Sequence, residues 1–358
     1  MASRSKLGSS RRKSGPTLAE SFPVSIIIPV HDGAPFLRKT LEALLDNDLG
    51  RTELIIVDDG STDQTPALIR EFADRVKLES VRHETARGPA AARNAGAARA
   101  NLPYLLFLDA DVLLPPGALD HLRETLDLYS HRPDVAGALG CYAEELSSSG
   151  FCSRFKNLST TFLYRVTATQ SPYLHTAIFL VRRDVFALSG GFDERLLKAE
   201  DFKLGLALGS RGYRFVIDRR VEGIHLKEYT LGGILREDWS RIVALRRLTM
   251  TRAERNFSFR AHRPGRILSL ALPGPILLLA LGGVFLGPWS VGTASGLALL
   301  FVLLNLRFLR YVRRRRGWGF TVLSLGMAFV EMLWAEGAVV AGSWPAWHQT
   351  PSRSEISD

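Results

Sequence analysis

Two cysteines in 358 residues are too few for a disulfide framework, and neither Cys141 nor Cys152 stands at a metal-ligand spacing. A catalytic part facing a reducing cytosol is the expectation, although this one pair leaves a single bridge open. The first twenty residues lack any apolar stretch, which excludes a secretory signal and makes residues 1–21 a disordered basic tail. Acidic side chains are in deficit: 36 Asp and Glu face 46 Lys and Arg, for a formal charge of +10. The excess is not an even nucleic-acid footprint. It gathers in Arg4–Lys13, Arg236–Arg266 and Arg307–Arg316, and the last two groups flank hydrophobic runs. That is the charge pattern of a protein seated against an anionic membrane, so no nucleic-acid partner is expected.

What the chain does contain is a series of short apolar runs, each ending in a polar loop. Val24–Val30 is continuous and β-branched, as in strands buried on both faces of a parallel sheet. A helix opens at Pro35, with Phe36, Leu37, Thr40, Leu41, Leu44 and Leu45 on its apolar face and Gly50 closing it. Glu53–Val57 is a second strand, ending in Asp58-Asp59-Gly60-Ser61-Thr62-Asp63, and Ser61 or Asp63 is placed to cap a helix over Pro66–Ala73. Strand, helix, strand and acidic loop make a βαβ unit with its loop at the ligand edge. A third strand, Lys77–His83, leads into an Ala-rich helix after Gly88-Pro89, whose amino end would attract phosphate.

The strongest signal is Tyr104–Asp111, an aromatic-rich strand that ends in two carboxylates before Pro115 and Pro116 forbid its continuation. Alternate residues of a strand share a face, so Asp109 and Asp111 are expected to address one site. Two carboxylates so close favour a cation between them, and hard oxygen ligands favour Mg2+ or Mn2+.

Ile-Ile-Pro-Val-His-Asp, Ile-Val-Asp-Asp-Gly-Ser-Thr-Asp, Gly-Pro-Ala-Ala-Ala-Arg-Asn and Leu-Asp-Ala-Asp, in this order and spacing, resemble a family 2 glycosyltransferase of GT-A fold. The resemblance implies an α/β fold: a Rossmann-like, mostly parallel sheet with flanking helices, binding a nucleotide-sugar donor. It implies that Pro29 and His31 border the base, that Asp59 accepts from it with Asp58 beside, and that Arg93 lies near the nucleotide or diphosphate. Asp111 matches the metal ligand, and Asp109 the position that reaches the ribose or sugar and shares the metal site. Further on, Gly190-Gly-Phe-Asp-Glu194 and Ala199-Glu200-Asp201-Phe202 look like the family's later elements. They imply Asp201 as catalytic base, with its neighbour Glu200 the second candidate, and His225 as a third metal ligand.

Between these landmarks a helix at Gly117–Tyr129 and strands near Val135–Leu139, His175–Arg183 and Tyr213–Asp218 are expected, while residues 141–172 show no clear period. Beyond residue 230 the composition shifts. Residues 231–266 read as basic amphipathic helices on a membrane surface. Arg236-Glu-Asp-Trp-Ser-Arg does not match the Gln-x-x-Arg-Trp element of polymer-making members, so processive synthesis is not expected. Within 267–343 three apolar runs, Ile267–Leu286, Ser290–Leu306 and Phe320–Ala341, predict about three transmembrane helices before a tail at 344–358.

The expected protein is therefore an inverting, metal-dependent glycosyltransferase on the inner membrane, multi-pass, with residues 22–230 as a cytoplasmic catalytic domain. Its acceptor would be a hydroxyl on a lipid-linked or membrane-proximal molecule, with polyprenyl phosphate as the alternative. A catalytically silent scaffold that binds a sugar nucleotide and membrane lipids is the rival from another class.

Overall fold

The computed structural model describes residues 22–144, 150–166, 170–171, 174–261 and 268–343. The two expected tails, 1–21 and 344–358, lie outside the described residues.

The β-branched runs become β1 (Val24–Val30) and β2 (Thr52–Asp58), paired in parallel from Val24↔Thr52 to Val30↔Asp58. Between them runs α1 (Ala34–Leu45), followed by α2 (Thr65–Ala73), β3 (Glu79–Arg82), α3 (Pro89–Arg99) and β4 (Tyr104–Leu108). β3 and β4 are parallel to their neighbours β2 and β1. The chain continues through β5 (Val112–Leu113), α4 (Ala118–Leu128), β6 (Val135–Tyr142), α5 (Phe151–Val166) and the short β7 (Gln170–Ser171). β8 (Ile178–Arg182), α6 (Arg183–Leu188), α7 (Glu200–Gly209) and β9 (Arg214–His225) complete a sheet in the order β3-β2-β1-β4-β8-β6-β9-β5, with β7 on β9.

Side-chain alternation divides the core between the two faces of this sheet. Ile26, Ile28 and Leu106 pack with Leu37, Leu41, Leu68 and Leu122 of α1, α2 and α4. Ile27, Leu105 and Phe107 face the other way, toward Ala90 and Ala92 of α3, Phe186 of α6 and Leu204 of α7. The mostly parallel sheet with helices on both faces is the architecture expected.

Several boundaries differ. α1 ends at Leu45, and Gly50 serves the turn before β2 with φ +42° instead of closing the helix. Phe36 is exposed. β4 stops at Leu108, because neither Asp109 nor Asp111 can continue a buried strand unpaired. The Val112 amide instead donates to the Asp109 carbonyl at 3.2 Å, closing a turn, and β5 pairs antiparallel with β9. α5 occupies part of the stretch that has no legible period.

The carboxyl-terminal part forms α8 (Leu231–Arg247), α9 (Arg252–Ala261), α10 (Pro273–Leu281), α11 (Gly283–Leu286) and α12 (Pro288–Ser343). Among the described residues one helix, α12, is long and apolar enough to cross a membrane, judged by length and composition. Among the described residues the three expected runs are bounded differently from one another. The first run is cut short by Pro273 and Pro275, which start a new helix instead of continuing one. The second and third are joined in α12 across a kink at Gly317, where φ is 77° and ψ −177°.

Polar contacts tie α12 to the sheet domain. Glu144 accepts from the Tyr311 hydroxyl at 2.9 Å and from Arg315 Nε at 2.6 Å. The arginine cluster before Gly317 therefore lies on the same side as the sheet domain. The two acids of the third run also have partners: Glu331 meets Lys156 at 3.3 Å, and Glu336 accepts the Gly274 amide at 2.7 Å.

α3 lies so close to the sheet that a Cβ on Gly96 would overlap the Ile27 Cγ2 methyl and come within 3.1 Å of Val57 Cγ2. Gly96→Val should therefore destabilise the domain by about 1–3 kcal/mol, the usual scale of overpacking. Thermal unfolding of the purified variant reads this out, and an unchanged midpoint would show that α3 can withdraw freely.

Candidate active site

The site stands at the carboxyl ends of β1, β2 and β4, where open α/β sheets place their ligands. Two loops are cross-stitched there. Asp32, held at φ +45°, accepts the amides of Thr62 at 2.7 Å and Asp63 at 3.2 Å. In return Ser61 Oγ accepts the Asp32 amide at 3.0 Å and Thr65 Oγ1 the Gly33 amide at 3.1 Å. Asp63 joins the starts of both helices, taking the Thr65 amide on Oδ1 (2.8 Å) and the Ala34 amide on Oδ2 (3.1 Å). It therefore does part of the capping expected of it, while Ser61 serves the neighbouring loop. The Thr62 amide, ahead of other causes, holds the Asp32 carboxyl below its ordinary value.

Asp58 and Asp59, both buried, organise the next layer. Asp58 accepts the Ser61 amide at 2.9 Å and pairs with Arg82. Asp59 takes the amides of Arg87 and Gly88 at 2.9 and 2.7 Å, and His83 Nδ1 at 2.6 Å. His31, about half exposed, donates from Nδ1 to the Asp59 carbonyl at 2.8 Å. Pro29 sits two residues earlier in β1, opposite Val57.

Arg93 of α3 is the centre of the site. Its guanidinium is buried, lies 2.8 Å from both Asp109 and Glu200, and covers the ring of Phe192 at 5.6 Å. One residue on, Asn94 grips the backbone of Phe192 from both sides, accepting its amide at 2.9 Å and donating to its carbonyl at 2.8 Å. Gly191, at φ +82°, has no alternative there, since a Cβ would come within 2.7 Å of Asn94 Oδ1. The Arg-Asn and Gly-Gly-Phe elements, a hundred residues apart in sequence, are thus two halves of one contact.

Glu200 and Asp201 occupy the first turn of α7, where the helix dipole favours acids. Burial, then the charge of Glu200, raises the Asp201 carboxyl from its ordinary value to about 6. Asp109 and Asp111 diverge: the first faces Arg93, while Asp111 Oδ2 lies 3.2 Å from His225 Nε2. The β5–β9 ladder explains that meeting, because Val112 stands opposite His225 and Leu226 donates its amide to the Asp111 carbonyl at 2.8 Å. Tyr142 stacks on His225 with centroids 4.7 Å apart, fixing the imidazole plane.

Three nearby residues have no counterpart in the sequence reading. Tyr142 and Tyr164 lie within electrostatic reach of Asp109, and Arg241 of α8 is among the charges acting on Asp201. Arg241 is hidden in sequence by its membership of an arginine-rich segment. Its i,i+4 partner Glu237, 3.3 Å away, was the available sign that this face is not simply lipid-directed.

The sheet edge gathers carboxylates around a buried arginine, beside a helix start. Residues 25–188 match the profile described as Glycosyl transferase family 2, which covers just under half of the chain. The chain is 26% identical over 192 residues to the uncharacterized glycosyltransferase EpsJ of Bacillus subtilis, covering 51% of this chain and 55% of that protein. It is 41% identical over 107 residues to an uncharacterized glycosyltransferase of Haemophilus influenzae, covering 29% of this chain and 41% of the relative. The chain thus spans about half the length of these curated relatives. In three dimensions it resembles the mannosyltransferase PcManGT from Pyrobaculum calidifontis, solved with GDP-Man and Mn2+. The TM-score is 0.56 at 19% identity, over 90% of this chain and 88% of that one, a likeness of fold.

Replacing Arg93 by Leu should leave Glu200 and Asp109 as uncompensated, largely buried charges and cost about 3–5 kcal/mol. Chemical denaturation measures this directly. A loss below about 1 kcal/mol would mean that the ion triad does not hold β4 to α7.

Proposed function

We propose that the protein is an inverting glycosyltransferase that moves a sugar from a nucleotide-sugar donor to a hydroxyl of a lipid-linked or membrane-proximal acceptor. The observation that carries this reading is the triad Asp109–Arg93–Glu200, which draws the end of β4 and the start of α7 to one edge of the sheet. Asp201 is the general base. Its carboxyl, raised to about 6, is ionised near neutral pH yet basic enough to take a hydroxyl proton as the acceptor oxygen attacks the anomeric carbon. The nucleoside diphosphate departs from the opposite face with the bonding electrons, which inverts the configuration. An ionised phosphate acceptor would need no such base.

Asp111 and His225, in contact at 3.2 Å, would hold a magnesium or manganese ion, with Asp109 nearby but bonded to Arg93. Among the described residues no three His, Cys, Asp or Glu side chains form a set able to hold an ion by themselves. The pair suits an ion that takes its remaining ligands from substrate phosphates and water, as Mg2+ commonly does. Such an ion would neutralise charge on the leaving diphosphate. His31, Pro29, Asp58 and Asp59 would line the base, with α10–α12 seating the domain on the cytoplasmic face of the inner membrane.

Detergent-purified protein offered UDP-, GDP- and dTDP-sugars with Mg2+ or Mn2+ and a glycolipid acceptor should release the nucleoside diphosphate from at least one donor. No release from any of them would sink the reading. Turnover should fall as pH drops through about 6, because Asp201 must be deprotonated to act. Asp201→Asn should flatten that limb and lower transfer roughly 10²–10⁴-fold while donor binding persists.

Asp111→Asn should abolish metal-dependent turnover. Activity in that variant that still responds to Mn2+ in the parental range would remove Asp111 from the metal site.

A further inference from the structure

The two arms of α12, residues 288–316 and 318–343, fold back on each other. Along one continuous helix Phe301 and Phe329 would stand about 42 Å apart. Their rings instead meet edge-on with centroids 5.7 Å apart, so the chain reverses at Gly317. The second arm, about 38 Å long by helical rise, is then fastened to the sheet domain from end to end. Phe320 meets Phe151 with centroids 5.0 Å apart, Glu331 meets Lys156 at 3.3 Å, and Ser343 Oγ accepts from Arg246 Nη2 at 2.7 Å. Along its later half α8 runs beside it: Trp334 donates to the Leu235 carbonyl, and a Cβ on Gly337 or Gly342 would stand 3.4 Å from Trp239 or Val243. α10 and the first arm pack on the second. Ser269, just before α10, joins Met332 at 3.4 Å and Asn305 at 2.7 Å, and the Gly274 amide donates to Glu336 at 2.7 Å. These apolar helices therefore run alongside α8 instead of projecting away from the domain.

We propose that α10 and both arms of α12 do not cross the bilayer but lie in the plane of a single anionic leaflet, on the side that carries the sheet domain. The inference deepens the membrane seating proposed above and rests on it. Hydrocarbon is about 30 Å thick, so a second arm that crossed it would carry its fastenings through with it. Lys156, Asp238 and Arg246 would enter the apolar layer, at the cost that intramembrane charges carry. Asp238 is held by Lys156 at 2.7 Å and its neighbour Glu237 by Lys227 at 2.8 Å, so α8 stays with the sheet domain. Lying flat removes the conflict. A layer one helix thick, about 10 Å, fits within half of the hydrocarbon. The side chains to enter it are there: Leu278 is 72% and Phe285 89% exposed, with Leu299, Leu303 and Leu323 exposed as well. Arg310, Arg313 and Arg314 are exposed beside them, and the Arg313 guanidinium lies 4.8 Å from the ring of exposed Trp318. Arginine over an interfacial tryptophan suits an anionic headgroup, which is why the leaflet is the occupant of this face.

The test uses the full chain, detergent-purified and reconstituted into phosphatidylglycerol vesicles. In a background of Cys141→Ala and Cys152→Ser, nitroxides are placed at Leu278→Cys, Phe285→Cys, Leu299→Cys and Leu323→Cys, all exposed positions, and thermal melts verify folding. Accessibility to oxygen and to a water-soluble relaxant gives the depth of each label. The four depths should agree to within about 5 Å, and none should reach the mid-plane, since interfacial helices enter by about 5–10 Å. Depth that changes between Phe285 and Leu299 by about 1.5 Å per residue, placing Leu299 at the mid-plane and Phe285 at an interface, is the staircase of a spanning hairpin and overturns the inference. Phosphatidylglycerol vesicles should bind the protein at least about tenfold more tightly than phosphatidylcholine vesicles; equal binding removes the anionic partner. Binding to neither removes the membrane seating itself, a failure distinguishable from a crossing hairpin.

Discussion

A buried guanidinium needs its charge answered on the spot, and Arg93 is answered twice. With only 6% of its side chain exposed, it is viable because Asp109 and Glu200 each stand 2.8 Å away. Those two carboxylates come from the end of β4 and the start of α7, elements far apart in sequence, so the requirement to neutralise one arginine positions both. The same arginine covers Phe192, whose ring meets Phe107 of β4 edge-on at 5.2 Å. Charge and packing thereby fix the same pair of elements. The triad carries one more negative than positive charge, and Asp201 adds another beside it. Burial first, and then the neighbouring charge of Glu200, explain why Asp201 holds its proton more tightly than an ordinary carboxyl.

The parallel half of the fold is legible because its strands are buried on both faces and show as unbroken β-branched runs. The acidic loops that follow them mark the ligand edge as clearly. Legibility ends where partners are chosen by tertiary pairing. Asp109 and Asp111 resemble one continuous strand end, yet the turn between them sends their side chains to different partners. Nothing in the local sequence announces that Val112 will pair with His225. α5 was invisible for another reason: its buried face includes Ser153, Asn157 and Thr161 alongside Phe155 and Leu158. Polar residues there are satisfied by specific contacts, such as Asn157 to the Ala143 carbonyl at 2.7 Å and Thr161 to the Tyr311 hydroxyl at 2.9 Å. A periodicity argument counts such positions as surface.

The carboxyl-terminal helices show the same limit of hydropathy reasoning. Counting apolar residues separates three runs, but the second extends as helix through four consecutive arginines and stops only at Gly317, whose φ of 77° and ψ of −177° are not helical. The acids of the third run, unexplained by composition, prove to be fastening points: Lys156 reaches Glu331 at 3.3 Å while also holding Asp238 at 2.7 Å.

That shared lysine joins α5, α8 and α12, and this junction links the apolar helices to the acidic cluster at the sheet edge. Trp334 of α12 donates to the Leu235 carbonyl of α8 at 2.9 Å and packs against Trp239 with centroids 5.1 Å apart. α8 is therefore held along α12 by one face, while Arg241, farther along the same helix, acts electrostatically on Asp201. A helix clamped to the apolar region on one side and charged toward Asp201 on the other cannot shift without changing the field at that carboxylate. The placement of α12 thus bears on the site through a rigid element of the fold, and the arginines of α8 divide between the two tasks. Composition alone assigns them all to the membrane surface, because it cannot see which way each one faces.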